Sequence, residues 1–266
     1  MTKTILITGA TDGIGLETAK LLSADGHDLI LHGRNAEKLA AATGEMRGTG
    51  SVETVAADFT YLDEVQGLAE DLRARLGRLD VLINNAGVFK TANPTTKSGL
   101  DVRFVVNAFT PYLLTKALLP IMGADGRVVN LSSAAQSPVD LDAMAGERPL
   151  SAMDAYAQSK LALTAWSRVL ADAHPNGPVI IAVNPGSMLA SKMVRDGFGV
   201  AGNDLSIGAE IVRKAAADKA FAGASGQYFD NDAGRFANPH PDAANSATAK
   251  IITDAIDRIL GGPAAA

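Results

Sequence analysis

Tyr156 and Lys160 stand four residues apart in Tyr-Ala-Gln-Ser-Lys, within a stretch of helical periodicity, Ser151 to Ala173. That spacing puts both side chains on one helix face. A phenol with a pKa near ~10 is a poor acid–base catalyst at neutral pH, and a neighbouring ammonium stabilises phenolate and lowers that value. A tyrosine tuned in this way can give a proton to a carbonyl oxygen as hydride reaches the carbon. Such a pair also arises by chance on helices, with the lysine solvated and the tyrosine packed.

Chemistry of this kind needs a hydride carrier, and the chain opens on a stretch suited to hold one. An apolar run, Thr4-Ile5-Leu6-Ile7, leads into Thr8-Gly9-Ala10-Thr11-Asp12-Gly13-Ile14-Gly15, and a helical pattern leads out of it. A strand, a tight glycine turn and a helix N-terminus together form an anion site, because glycine lets the backbone approach a pyrophosphate and the free N–H groups of the first turn point at it. Gly9, Gly13 and Gly15 give G-x-x-x-G-x-G rather than the general G-x-G-x-x-G.

Strand and helix patterns then alternate to the end of the chain, which predicts a parallel sheet covered by helices on both faces. The second strand runs into His32-Gly33-Arg34-Asn35, with no acid where a carboxylate would select the ribose of NAD. Arg34 either forks onto a 2′-phosphate or is a surface residue before a helix. The third strand ends Ala57-Asp58-Phe59, where Asp58 either accepts from an adenine amino group or caps the next helix. The fourth runs into Asn84-Asn85-Ala86-Gly87, which suits close backbone approach at the carboxyl ends of the strands. The fifth, Arg127 to Leu131, ends on Ser132 and Ser133. Pro111 is expected to bend or divide a helical stretch from Ser98 to Met122.

The 266 residues are 47% hydrophobic and carry a net charge of −5. That suits one large α/β domain and lacks the basic footprint of a nucleic-acid binder. With no cysteine, thiolate metal sites and a cysteine nucleophile are excluded. The four histidines show no metal-ligand spacing, so no metal is expected. The segment Phe229 to Phe236 has too few acids for a calcium loop and reads as a polar loop. No uninterrupted apolar run reaches the ~20 residues of a membrane span, and the expected setting is cytoplasmic.

Taken together, Thr8-Gly9-x-x-x-Gly13-Ile14-Gly15, Asn84-Asn85-Ala86-Gly87, Ser133, Tyr156-x-x-x-Lys160 and Pro185-Gly186 resemble the compact short-chain dehydrogenases/reductases, over about Thr2 to Leu260. The resemblance implies a doubly wound (Rossmann) α/β fold with a mostly parallel seven-stranded sheet in the order 3-2-1-4-5-6-7. It implies a nicotinamide cofactor, NADP(H) in preference to NAD(H), bound along Gly9, Thr11, Asp12, Gly13, Ile14, Gly15, Arg34, Asp58, Phe59, Asn85, Ala86, Gly87, Pro185, Gly186 and Met188. Tyr156 would be the acid/base, Lys160 would hold the nicotinamide ribose and lower the Tyr156 pKa, and Ser133 would bind the substrate oxygen. Asn107 would help to hold Lys160 through water. A homodimer or homotetramer packed through the Ser151–Ala173 helix is also implied, with a small carbonyl or alcohol as substrate.

Three departures stand out. Ser133 and Tyr156 are 23 residues apart, and the extra segment around Ser137 to Leu150 is similar to that of the retinol-dehydrogenase-like and protochlorophyllide-reductase-like branches. The threonine usual after Pro-Gly is missing, with only the displaced Ser191 to replace it. Asp12 stands where many NADP enzymes place a basic residue. The lid expected at about 187–205 carries Met188, Leu189, Met193, Phe198 and Val200 with Gly197, Gly199 and Gly202 as hinges. Either these apolar residues meet a mainly apolar substrate or some of them pack on the domain. Residues 1–262 are expected to form a single domain, with 263–266 a flexible tail. A non-catalytic dinucleotide-binding sensor of the same fold is the alternative function; it would need the glycine turn but not Ser133, Tyr156 and Lys160.

Overall fold

The computed structural model describes residues 2–190, 193, 195, 199 and 201–261. Among the described residues, eight strands form one sheet: β1 Thr4–Ile7, β2 Asp28–Gly33, β3 Val52–Ala56, β4 Leu79–Asn84, β5 Met122–Leu131, β6 Val179–Asn184, β7 Tyr228–Asp230 and β8 Arg235–Ala237. Their order is β3-β2-β1-β4-β5-β6-β7-β8. The first seven are parallel in the expected order, and β8 adds an antiparallel edge paired through Phe229 and Phe236. The segment read as a polar loop is therefore a hairpin. Three residues are too short for a period-two pattern to show.

Alternation along the strands builds two cores. Leu6, Leu82, Val128 and Ile180 face one side and are covered by α3 (Leu62–Arg75), α4 (Val102–Ile121), α6 (Ala152–Ala173) and α9 (Ser246–Ile259). Ile5, Ile7, Val81, Ile83 and Ile181 face the other, under α1 (Gly13–Ala24), α2 (Ala36–Glu45) and α7 (Leu205–Ala217). Trp166 on α6 is fully buried against Tyr112. Truncating a buried aromatic of this kind costs about 3–5 kcal/mol.

Short helices among the described residues include α5 (Leu141–Met144) and α8 (Pro241–Ala244). The extra segment before Tyr156 is packed structure. Asp140 caps α5, Met144 is fully buried, and Gln158 on α6 accepts the Asp140 N–H at 2.9 Å.

Pro111 acts as expected, by a specific device. Residues Val105–Phe109 form a π turn, and the α-helix resumes at Thr110 with Pro111 in its first turn. Proline lacks a donor, and its ring crowds the carbonyl four residues back, here that of Asn107. The wider turn provides the room and sets Asn107 at its centre. By length and composition α4 alone among the described helices could cross a membrane, yet 67% of its most apolar window is buried within the fold.

Candidate active site

The glycine turn leaves β1 with Gly9 and Gly13 both at positive φ, 65° and 56°. Asp12 caps α1, its Oδ1 accepting the Gly13 N–H at 2.7 Å. The turn is fastened from below by Asn85, whose Nδ2 donates to Thr8 O at 2.8 Å and Gly9 O at 3.0 Å. The Thr8 hydroxyl in turn accepts the N–H groups of Asn85 and Ala86, each at 3.0 Å. Space is tight: a Cβ on Gly9 would lie 2.9 Å from Ala86 Cα, and one on Gly15 would lie 2.3 Å from Asn85 Nδ2. Only glycine lets the backbones approach this closely.

Above this floor runs a cleft of about 500 Å³ along the carboxyl ends of the strands. Gly9, Thr11, Asp12, Gly13, Ile14, Arg34, Asp58, Phe59, Asn85, Ala86, Gly87, Tyr156, Lys160 and Pro185 all line it. Gly15, Asn107, Ser133, Gly186 and Met188 stand outside its lining. Gly15 serves close packing below the turn. Met188 is 39% exposed and holds a left-handed backbone, φ 55°.

Several side chains have local partners that spacing could not show. Asp58 caps no helix: α3 begins at Leu62 with Tyr61 as its N-cap, and Asp58 Oδ1 accepts the Thr60 N–H and hydroxyl at 3.0 and 2.9 Å. The cap reading of Asp58 is thus corrected, and its carboxylate holds the turn beneath the cleft. The Asn85 amide, expected to face a ligand, is taken up by the glycine turn.

At the other end of the cleft, Tyr156 and Lys160 project from α6. Lys160 is buried and Tyr156 half-buried, with the ammonium 5.7 Å from the phenol ring centroid. Lys160 Nζ donates to Leu131 O at 2.6 Å, its sole hydrogen bond among the described residues. Phe89 meets Tyr156 edge-on, centroids 5.2 Å apart. Burial raises the Tyr156 pKa above its ordinary value, and the neighbouring Ser133 side chain opposes that rise. Burial lowers Lys160 to about 8. The expected lowering of the phenol by the ammonium is thus reversed in the protein by itself, because desolvation disfavours both charged forms.

Asn107 clamps the strand-end loop, accepting the Val88 N–H at 2.8 Å and donating to Val88 O at 3.0 Å. It also donates to Ser159, the neighbour of Lys160, at 3.0 Å. A Cβ on Gly87 would stand 3.4 Å from Asn107 Oδ1 and 3.7 Å from Lys160 Nζ, so no side chain separates the two. Ser133 is held by its carbonyl, which accepts from Tyr228 and Gln136 at 3.2 and 2.9 Å.

Sequence reasoning missed His32, Lys38 and Phe89, all of which line the cleft. Lys38 follows Arg34 by four residues at the start of α2, a spacing that could have found it. Of the lid residues, Leu189 is buried and packs on the domain, while Met193 lines the cleft. Ser191, Gly197, Phe198, Val200 and the 263–266 tail lie outside the described residues.

A strand order that reverses beside β1, with the cleft at that point, defines a dinucleotide-binding α/β protein. More narrowly, the chain belongs to the short chain dehydrogenase family, whose model matches residues 3–198. It is 34% identical over 206 residues to dehydrogenase/reductase SDR family member FEY of Arabidopsis thaliana, covering 71% of this chain and 55% of that one. Human retinol dehydrogenase 13 is 35% identical over 193 residues, covering 69% of this chain and 58% of that one. The matched stretch thus spans little more than half the length of these relatives. Among solved structures, an uncharacterized protein from Mycobacterium paratuberculosis superimposes with a TM-score of 0.82 at 26% identity, over 99% of this chain and 95% of that one. A short chain dehydrogenase from Shigella flexneri, solved as a complex with NADP, superimposes at 0.67 and 26% identity, over 86% of this chain and 97% of that one.

Proposed function

We propose that the protein is an NADP(H)-dependent oxidoreductase that interconverts a small carbonyl compound and its alcohol. The observation that carries this reading is one cleft with two ends. Arg34 and Lys38 stand at one end, where β2 finishes without a carboxylate, and Tyr156 and Lys160 stand at the other. The glycine turn fits a dinucleotide, since Gly9 and Gly13 bring no side chain into the cleft they line and α1 starts beneath them. The NADP complex of the Shigella relative supports the same choice of cofactor.

When bound, the cofactor supplies or accepts the hydride. The chain supplies the proton and the positioning. Tyr156, a phenol and so protonated at neutral pH, gives its proton to the substrate oxygen in the reductive direction. Ser133, beside that phenol, orients and polarises the same oxygen. Lys160, held by Leu131 O, has further protons to donate to ribose hydroxyls. Phe89 and Met193 give the cleft an apolar wall and favour a mainly apolar substrate.

The test follows NADPH and NADH absorbance over a panel of ketones, aldehydes and quinones. Turnover with NADPH preferred is expected. NADH preferred would refute the cofactor assignment, and binding of NADPH without turnover of any carbonyl would favour a non-catalytic sensor.

A further inference from the structure

Several hydrogen bonds at the tip of the β7–β8 hairpin leave the hairpin. The Asn231 N–H donates to Asn184 O at 3.1 Å, and its Nδ2 donates to Pro185 O at 2.9 Å and Ile207 O at 3.4 Å. Asp232 accepts both protons of Ser187: the N–H on Oδ1 at 2.8 Å and the hydroxyl on Oδ2 at 2.5 Å. Asn184 Nδ2 bridges the two acids of the tip, donating to Asp230 Oδ1 and Asp232 Oδ2, each at 2.9 Å.

A hairpin needs none of these bonds to turn. Two carboxylates sharing one amide repel each other, so the arrangement is held by the groups it grips. All of those groups belong to the end of β6, to the turn that leaves it or to the start of α7. Pro185 lines the cleft, and the next residue but two, Met188, holds its left-handed backbone. Asn203 grips the same segment from the other side, donating its N–H to Met188 O at 2.6 Å and accepting the Ala190 N–H at 2.7 Å. A strained residue between two such grips persists because its surroundings over-determine it.

We propose that Asp232, assisted by Asn231, is a positioning residue for the nicotinamide end of the cofactor site. It sets the 185–187 turn from outside the cleft and touches no ligand. This inference rests on reading the cleft as a dinucleotide site. The adenosine end is built from the carboxyl ends of β1, β2 and β3, to which Asp232 makes no bond among the described residues, so its effect is confined to one half of the cofactor.

The experiment compares a whole cofactor with its adenosine half. NADPH, 2′,5′-ADP and ADP are titrated against wild type, Asp232→Asn and Ser187→Ala. Asp232→Asn is expected to weaken NADPH by about 10-fold through misplacement of the turn, and to leave the affinity for 2′,5′-ADP unchanged. Ser187→Ala is expected to act in the same direction with a smaller loss, and the double variant to lose less than the product of the two, since they share the same bonds. Should Asp232→Asn fail to fold, Ser187→Ala carries the comparison by itself. An equal loss of both probes, or unchanged NADPH affinity, overturns the proposal. A wild type that binds 2′,5′-ADP or ADP but gains nothing from the nicotinamide half also overturns it, while one that binds no probe overturns the cofactor reading on which it stands.

Discussion

The His32 imidazole lies flat on the Phe59 ring, with centroids 3.9 Å apart and planes 13° from parallel. Its Nδ1 accepts the Gly9 N–H at 3.3 Å, so the proton sits on Nε2 and goes to Ala57 O at 3.0 Å. One neutral ring thus ties the glycine turn to the ends of β2 and β3. Burial lowers its pKa to about 4.

That geometry predicts acid sensitivity. An unfolded histidine takes up a proton near pH ~6.5, whereas the folded one does so near 4. Stability is therefore lost as pH falls through this window, by about 3 kcal/mol if the whole difference is expressed. His32→Gln should flatten the fall. Denaturant midpoints at pH 7 and 4.5 measure it, and equal slopes for the two proteins would refute the account.

Arg34 and Lys38 are exposed at the mouth of the cleft and make no ion pair among the described residues. Alanine at either position should raise the KM for NADPH by about 5- to 10-fold, the worth of one exposed charge-assisted bond, and hardly change that for NADH. Equal losses for both cofactors would remove these residues from phosphate recognition.

Gly15→Ala should be costly. Its Cβ would stand 2.3 Å from Asn85 Nδ2 and 2.4 Å from Gly9 O, inside the hydrogen bonds that hold the glycine turn. A loss of about 1–3 kcal/mol is expected, as for overpacking. Gly67→Ala, in α3 with nothing within 4 Å, should instead stabilise by up to about 1 kcal/mol. Thermal melts of the two variants moving in the same direction would contradict this.

Lys160→Met should trade activity for stability. Burial lowers the folded pKa to about 8, while an unfolded lysine stays charged to about 10.5. The wild type therefore gains stability as pH rises from 8 to 10.5. Below pH 8 the variant should be more stable by about 2 kcal/mol, after allowing for the orphaned Leu131 carbonyl, and the gap should close towards pH 10. A variant less stable than wild type at pH 7 would show that the buried ammonium is compensated by its surroundings.

Local signals made much of this protein legible from its residues. The glycine turn, the seven parallel strands and the Tyr156–Lys160 face each depend on periodicity or spacing within one segment. What could not be read arises between distant segments. Asn85 serves the glycine turn through bonds to a residue 77 positions away. Asp58 turns to Thr60 because the N-cap of α3 is Tyr61, three residues later. The direction of the Tyr156 shift arises in the same way: an i, i+4 pair reveals a neighbouring charge, but not how far packing, with Phe89 edge-on to Tyr156, takes both groups out of water. Strand β8 is visible only once its partner β7 is in place.

Tyr156→Phe tests the central claim most directly. The variant keeps the ring against Phe89 and loses only the phenol oxygen. NADPH oxidation with the best carbonyl substrate should fall by 10²-fold or more, roughly the worth of a positioned proton donor, with NADPH affinity within about 2-fold of wild type. Turnover equal to wild type would contradict the proposed chemistry outright.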